Sequence, residues 1–137
     1  HQAVCMERED DIRHLVLDLL FLSRQPAEQA GDEAVLFCIR FFEQNDQTKI
    51  SLGELAQKVH LSKQSLIARF KKATGLTPIE YLIRLRIRKA KSLLLNSSLS
   101  VTQIAQSCGF ENVYYFSGRF KQLENVSPAG YRKMHEL

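Results

Sequence analysis

Arg69-Phe70-Lys71, followed by Gly75-Leu76-Thr77-Pro78 and Tyr81, returns fifty residues later as Arg119-Phe120-Lys121, Asn125-Val126-Ser127-Pro128 and Tyr131. Upstream the match continues at an offset of forty-nine: Ile50-Ser51-Leu52, Glu54-Leu55-Ala56-Gln57 and Val59 correspond to Leu99-Ser100-Val101, Gln103-Ile104-Ala105-Gln106 and Cys108. The second copy has therefore gained one residue in its turn. Apolar residues fall on apolar positions and caps on caps over a length that composition alone does not produce, and only two copies exist, so this is a tandem duplication and not a solenoid. Two similar structural units are expected.

The helix starts are written in the local chemistry. Ser51-Leu52-Gly53-Glu54, Thr77-Pro78-Ile79-Glu80 and Ser100-Val101-Thr102-Gln103 have the capping-box form, in which a hydroxyl accepts from an orphan amide and the third residue reaches back. Thr77 and Ser127 are each followed by proline, whose missing amide hydrogen costs nothing in the first helical position. Ser62 and Asn112 serve as caps for two more helices. These signals predict helices over 52–59, 63–73, 78–95, 101–107, 113–123 and 128–135, with no strand. In the first pair Leu52, Leu55, Ala56 and Val59 face Leu66 and Phe70; in the second Val101, Ile104, Ala105 and Cys108 face Phe116 and Phe120. Two short helices joined by a tight turn are helix-turn-helix geometry. Gly109 supplies a turn conformation that His60 reaches less easily.

Between the copies, the long helix predicted over 78–95 carries Arg84, Arg86, Arg88, Lys89 and Lys91 as a basic coat, with Tyr81, Leu82, Leu85, Ala90, Leu93 and Leu94 available for packing. At the N-terminus, Ile12, Leu15, Val16, Leu19 and Leu20 give residues 7–23 an apolar face, Gln25 to Gly31 reads as a polar connection, and Val35, Leu36, Ile39 and Phe42 begin another helix. Without a strict heptad, these two helices either pack simply on each other or on the first unit, or form a dimerising surface.

With 137 residues and an apolar fraction of 45%, the chain has room for one ordinary domain or two small ones on a shared scaffold. The longest apolar stretch, Leu15 to Leu22, is broken by Asp18 and falls short of the ~20 residues of a membrane span. No secretory signal is visible, and a first residue of His1 suggests a piece of a longer protein. Cys5, Cys38 and Cys108 are odd in number and far apart, which fits a reducing cytosol better than a disulfide framework or a metal cluster. Charge divides the chain: residues 1–48 hold four Lys/Arg against ten Asp/Glu, net −6, and residues 49–137 hold fifteen against five, net +10. A portion so basic points to a polyanion, with nucleic acid ahead of an anionic membrane surface.

If the second helix of each pair turns Leu66 and Phe70, or Phe116 and Phe120, inward, then Lys63, Gln64, Ile67, Ala68 and Lys71 face outward in the first copy and Val113, Tyr114, Ser117, Gly118 and Lys121 in the second. Lysine suits guanine acceptors, glutamine suits adenine, and Ile67 or Ala68 could touch a thymine methyl. The second set is poor in hydrogen-bond readers, so that unit is expected to read sequence less strictly. Gly118 marks either a close approach to DNA or a tolerated defect. Adjacent Tyr114 and Tyr115 are unable to share the core, and the register makes Tyr115 the more buried. Lys71, Arg84, Arg86, Arg88, Arg119, Lys121, Arg132 and Lys133 are candidates for phosphate contacts, which position a protein without reading bases. Catalytic readings find no glycine-rich phosphate loop, no Cys-x-x-Cys and no His-Glu-x-x-His, and His14, His60 and His135 stand alone, so no enzyme, metal or cofactor is expected.

The set Leu55-Ala56, Leu61-Ser62, Leu66, Arg69-Phe70-Lys71, Gly75, Thr77-Pro78 and Tyr81, followed by Ile104-Ala105, Gly109-Phe110, Tyr115-Phe116, Arg119-Phe120-Lys121, Ser127-Pro128 and Tyr131-Arg132, resembles the DNA-binding domain of the AraC/XylS family of bacterial transcription regulators. The resemblance covers about residues 35–137. It implies an all-α fold of two helix-turn-helix subdomains joined by a long linker helix, a homeodomain-like tandem, preceded by an N-terminal helical segment. It implies recognition positions at Lys63, Gln64, Ile67 and Ala68 and at Val113, Tyr114, Ser117 and Gly118, placed in adjacent major grooves, and RNA polymerase as a further partner. Asn125 departs from the family's usual glycine, a change that a left-handed turn tolerates. The family's usual effector-binding and dimerising domain exceeds the length of residues 1–34, which read as its last helix plus a linker. The first helix-turn-helix unit is then expected over 35–76, the linker over 77–96 and the second unit over 97–137.

The chain thus reads as a sequence-specific DNA-binding transcription regulator, an activator by resemblance, acting without a cofactor in the bacterial cytoplasm at the nucleoid and free of membranes. A homodimer through the N-terminal helix or a missing domain is the further expectation. The alternatives are a basic architectural protein that binds DNA without preference, and a protein-interaction adaptor using the apolar N-terminal face.

Overall fold

In the computed structural model, which describes residues 32–45 and 47–136, six of the seven helices start on a side chain that accepts from an amide of the first turn. The helices are α1 (Glu33–Gln44), α2 (Leu52–Lys58), α3 (Lys63–Thr74), α4 (Pro78–Asn96), α5 (Val101–Ser107), α6 (Val113–Glu124) and α7 (Pro128–Met134). The six from α2 onward lie within one residue of the expected bounds. Ser51, Ser62, Thr77, Ser100, Asn112 and Ser127 are the caps. At Ser100 the box closes, Ser100 N donating to Gln103 Oε1 at 2.9 Å; Ser51 and Thr77 make the first arm, accepting from Glu54 N and Glu80 N. The helix expected over residues 7–23 lies outside the described residues.

The duplication is visible bond by bond. Between α2 and α3, Leu61 N donates to Ala56 O at 2.9 Å, and between α5 and α6, Phe110 N donates to Ala105 O at the same distance. His60 adopts φ 59° where Gly109 adopts 88°, and Asn125 adopts 67° where Gly75 adopts 81°. Left-handed backbone costs a residue with a Cβ roughly 1–2 kcal/mol, so His60 carries a strain that Gly109 avoids, whereas asparagine tolerates the turn at Asn125. Phe70 meets Tyr81 edge-on at 5.3 Å and 77°, and Phe120 meets Tyr131 at 5.5 Å and 76°.

Two cores follow from this. The first gathers Val35, Cys38, Ile39 and Phe42 of α1, Leu55 and Ala56 of α2, Leu66 and Phe70 of α3, and Leu82 of α4. The second gathers Ile83, Ile87, Ala90 and Leu94 of α4 with Ile104, Ala105, Cys108, Phe110, Phe116, Phe120 and Tyr131. Helix α4 thus belongs to both, its front turn closing the first unit and its rear turns opening the second. Helix α1 plays in the first unit the part that the rear of α4 plays in the second: at an offset of fifty-two, Val35, Cys38 and Phe42 match Ile87, Ala90 and Leu94, all buried. Of the two roles open to the Val35–Phe42 segment, its buried face takes packing on the first unit.

One expectation is corrected. Lys91 does not lie on the basic coat of the linker; it is 8% exposed, and its Nζ lies 3.3 Å from Glu124 Oε2 and 5.8 Å from the Tyr131 ring. A buried ammonium demands a partner, because desolvation of an unpaired charge costs several kcal/mol. The lining of α4 also includes Ile83 and Ile87, beyond the packing residues expected from sequence.

Candidate nucleic-acid interface

Helices α3 and α6 each bury the stripe that their spacing predicts, Leu66 with Phe70 and Phe116 with Phe120, and that burial fixes what remains outward. On α3, Lys63, Gln64, Ala68 and Lys71 are exposed and Ile67 is half-buried. Lys63 is guided by its neighbour: a Cβ added at Gly53 would stand 3.0 Å from Lys63 Cε, so the lysine stem lies across the start of α2. On α6, Tyr114 is 85% exposed and Tyr115 52%, the order expected. Gly118 and Lys121 are exposed and Val113 and Ser117 half-buried, with Val113 packed against the second core. The eight expected positions thus lie four on each of two helices, five of them exposed, Ile67 and Ser117 half-buried and Val113 turned partly into the second core; the second set offers one ring, one hydroxyl and a bare glycine.

The candidate phosphate residues differ in exposure and in the bonds they make within the protein. Lys71, Lys121 and Arg88 are exposed and Arg84 is half-buried. Arg86 Nη2 donates to Thr48 O at 2.7 Å, and its guanidinium lies 5.9 Å from the Phe110 ring, joining the loop after α1 to the second unit. Arg119 Nη1 donates to Gln122 Oε1 at 2.7 Å, while its Nε is buried with no acceptor among the described residues. Arg132 is spent internally: Nε donates to Leu94 O at 3.0 Å and Nη2 to Ser97 O at 3.2 Å, closing the carbonyl end of α4. Sequence reasoning missed that task, and the repeat held a signal for it, since Arg132 stands in the slot of Leu82, which is buried in the first unit.

Helix α4, with 19 residues, is about 28 Å long, comparable to the ~34 Å between successive major-groove turns on one face of DNA. Across the gap between the units, Lys49 Nζ approaches Glu111 Oε1 at 3.8 Å with both side chains largely exposed, a pair that contributes little. A cleft of about 600 Å³ opens there, lined by Ile79, Ile83, Phe110 and Tyr115 among others. Among the described residues there is no group of three or more His, Cys, Asp or Glu able to hold a metal ion, and no helix is long and apolar enough to cross a membrane.

Two capped helix pairs, each presenting its second helix outward at opposite ends of one long helix, define a tandem helix-turn-helix module. The helix-turn-helix domain family matches residues 55–134, and the chain belongs to the AraC/XylS family of DNA-binding transcription regulators. Among curated proteins it is 35% identical over 123 residues to the HTH-type transcriptional activator RhaS of Escherichia coli (strain SE11), covering 87% of this chain and 44% of that protein. It is 37% identical over 92 residues to the probable transcriptional regulator LumQ of Photobacterium leiognathi, covering 67% of this chain and 37% of that one. The chain therefore spans less than half the length of these relatives. Among solved structures it resembles the C-terminal domain of the two-component response regulator yesN from Fusobacterium nucleatum (TM-score 0.69, 35% identity, 73% of this chain and 98% of that one). It likewise resembles the DNA-binding domain of AdpA, a global transcriptional factor, in complex with a target DNA (TM-score 0.70, 28% identity, 74% and 91%).

Proposed function

We propose that this chain is the sequence-specific DNA-reading part of a transcription activator, and that α3 and α6 enter successive major grooves on one face of the duplex. The observation that carries the reading is the pair of outward helix faces at the two ends of α4, in a region, residues 49–137, whose net charge is +10. Lys63 and Gln64 are the principal base readers, with Ile67 and Ala68 against thymine methyls. Val113, Tyr114, Ser117 and Gly118 make a second, less discriminating contact. Lys71, Lys121, Arg84 and Arg88 hold phosphates, with Arg86 and Arg119 beside them, and Arg132 holds the end of α4. RNA polymerase and a second copy of the whole protein are the proposed protein partners, the latter through the region before residue 35.

The test is the salt dependence of affinity for a preferred duplex and a scrambled one. Each phosphate contact contributes a slope of about −0.9 in log K against log salt, so Lys71→Ala and Lys121→Ala should each flatten the slope by about one unit on both duplexes. Lys63→Ala with Gln64→Ala should narrow the gap between the duplexes and leave the slope on the scrambled one nearly unchanged. Equal weakening on both would favour a binder without sequence preference.

A further inference from the structure

Five glycines lie among the described residues, and four of them have a reason inside the protein, two in backbone conformation and two in a close neighbour. Gly75 and Gly109 adopt positive φ. A Cβ at Gly53 would stand 3.0 Å from Lys63 Cε, and at Gly130 3.0 Å from Ser127 Oγ. Gly118 is different: it sits in the middle of α6, its φ is helical, and a Cβ there would find nothing within 4 Å. Glycine is the poorest non-proline residue for a helix interior, and the corresponding residue of α3 is Ala68. Nothing among the described residues accounts for the missing methyl group.

The surroundings indicate what could. Gly118 lies on the outermost line of α6, one turn after Tyr114, 85% exposed, and one turn before the exposed Gln122. Neighbours one turn apart on a helix stand side by side, so the bare position is an open notch one methyl deep between Tyr114 and Gln122, neither side chain lying within 4 Å of where a Cβ would stand. Its floor is backbone already hydrogen-bonded within the helix, so it has no donor or acceptor of its own to offer a base edge. In the major groove the group that matches such a notch in size and polarity is the C5-methyl of thymine. Resting on the reading that α6 enters a major groove, we propose that Gly118 is a specificity-determining residue whose absent side chain seats one thymine methyl in the half-site of the second unit.

The experiment is a two-by-two comparison on the duplex that the wild-type chain enriches from a random pool. Thymines of the second half-site are replaced one at a time by uracil, which lacks only the methyl, and each duplex is titrated with wild type and with Gly118→Ala. One uracil should weaken the wild type about tenfold and Gly118→Ala by less than about threefold, while Gly118→Ala binds the thymine duplex about tenfold more weakly than wild type. The variant should melt about 4–8 °C higher, since alanine improves the helix and meets no neighbour, which excludes misfolding as the cause of its weaker binding. Equal affinity of wild type and Gly118→Ala for the thymine duplex, or no uracil position that weakens the wild type, overturns the notch and leaves the DNA reading in place. A wild-type chain that enriches no sequence overturns the reading on which the notch rests.

Discussion

Lys91 and Glu124 face each other at 3.3 Å with side chains only 10% and 6% exposed, joining α4 to the last turn of α6. Their counterparts in the first unit are Ile39, buried, and Thr74, whose Oγ1 donates to Phe70 O at 2.8 Å. The same place in two copies of one fold is thus filled once by an ion pair and once by an aliphatic chain beside a locally satisfied hydroxyl. Lys91→Met or Glu124→Gln alone should destabilise the domain by about 3 kcal/mol or more, each leaving a buried charge without its partner. Lys91→Ile with Glu124→Thr should cost less than either single change. Urea unfolding of the three variants checks it.

The strained turn offers the opposite sign. His60, at φ 59°, copies a position that is Gly109 in the second unit. His60→Gly should stabilise by up to about 1 kcal/mol and Gly109→His should destabilise by at least as much, read from thermal midpoints. Equal midpoints for wild type and His60→Gly would remove the strain argument.

Arg132 ties α7 to the carbonyl end of α4 through Leu94 O and Ser97 O. Arg132→Gln should cost about 1–3 kcal/mol of stability, while the salt slope of DNA binding stays as in the wild type. A flatter slope with unchanged stability would return Arg132 to the phosphate contacts.

Cys38 lies in the first core, and burial pushes its thiol from an ordinary 9.0 up to about 11. The folded state therefore holds the thiol proton more tightly than the unfolded state. The stability this provides is complete below pH 9 and is lost as pH rises through about 11, an effect of roughly 2–3 kcal/mol for one thiol. Cys38→Ala, which copies Ala90 of the second unit, should be less stable than wild type at pH 8 and close the gap by pH 11. Urea midpoints at the two pH values give the answer.

Most of the fold was legible because it is governed by local rules written twice. Caps such as Ser100 and Asn112, the turn glycines and the paired core residues Leu66/Phe70 and Phe116/Phe120 act within a few residues of themselves, and the repeat confirmed each reading. Lys91 was misplaced and the internal bonds of Arg132 went unseen for the opposite reason: their partners are distant in sequence. The signal lay in the repeat, since Lys91 stands where the first unit has Ile39 and Arg132 where it has Leu82. It was masked because the connection after α1, residues 45–51, is longer than the 97–100 connection after α4, which breaks the register between α1 and the rear of α4. The candidate interface was readable to the level of helix faces, because burying one stripe exposes the other. Which arginines are engaged inside the protein was not readable, since a long guanidinium side chain reaches carbonyls that sequence spacing does not reveal.

Selection from a randomised duplex pool at moderate salt, by wild type and by Lys63→Ala with Gln64→Ala, addresses the central claim most directly. A two-unit reader should enrich two blocks about one helical turn apart, and the double variant should lose one of them, the block read by α3, while keeping the other. Binding that fades as salt rises, with no enriched block for the wild type, would contradict the account.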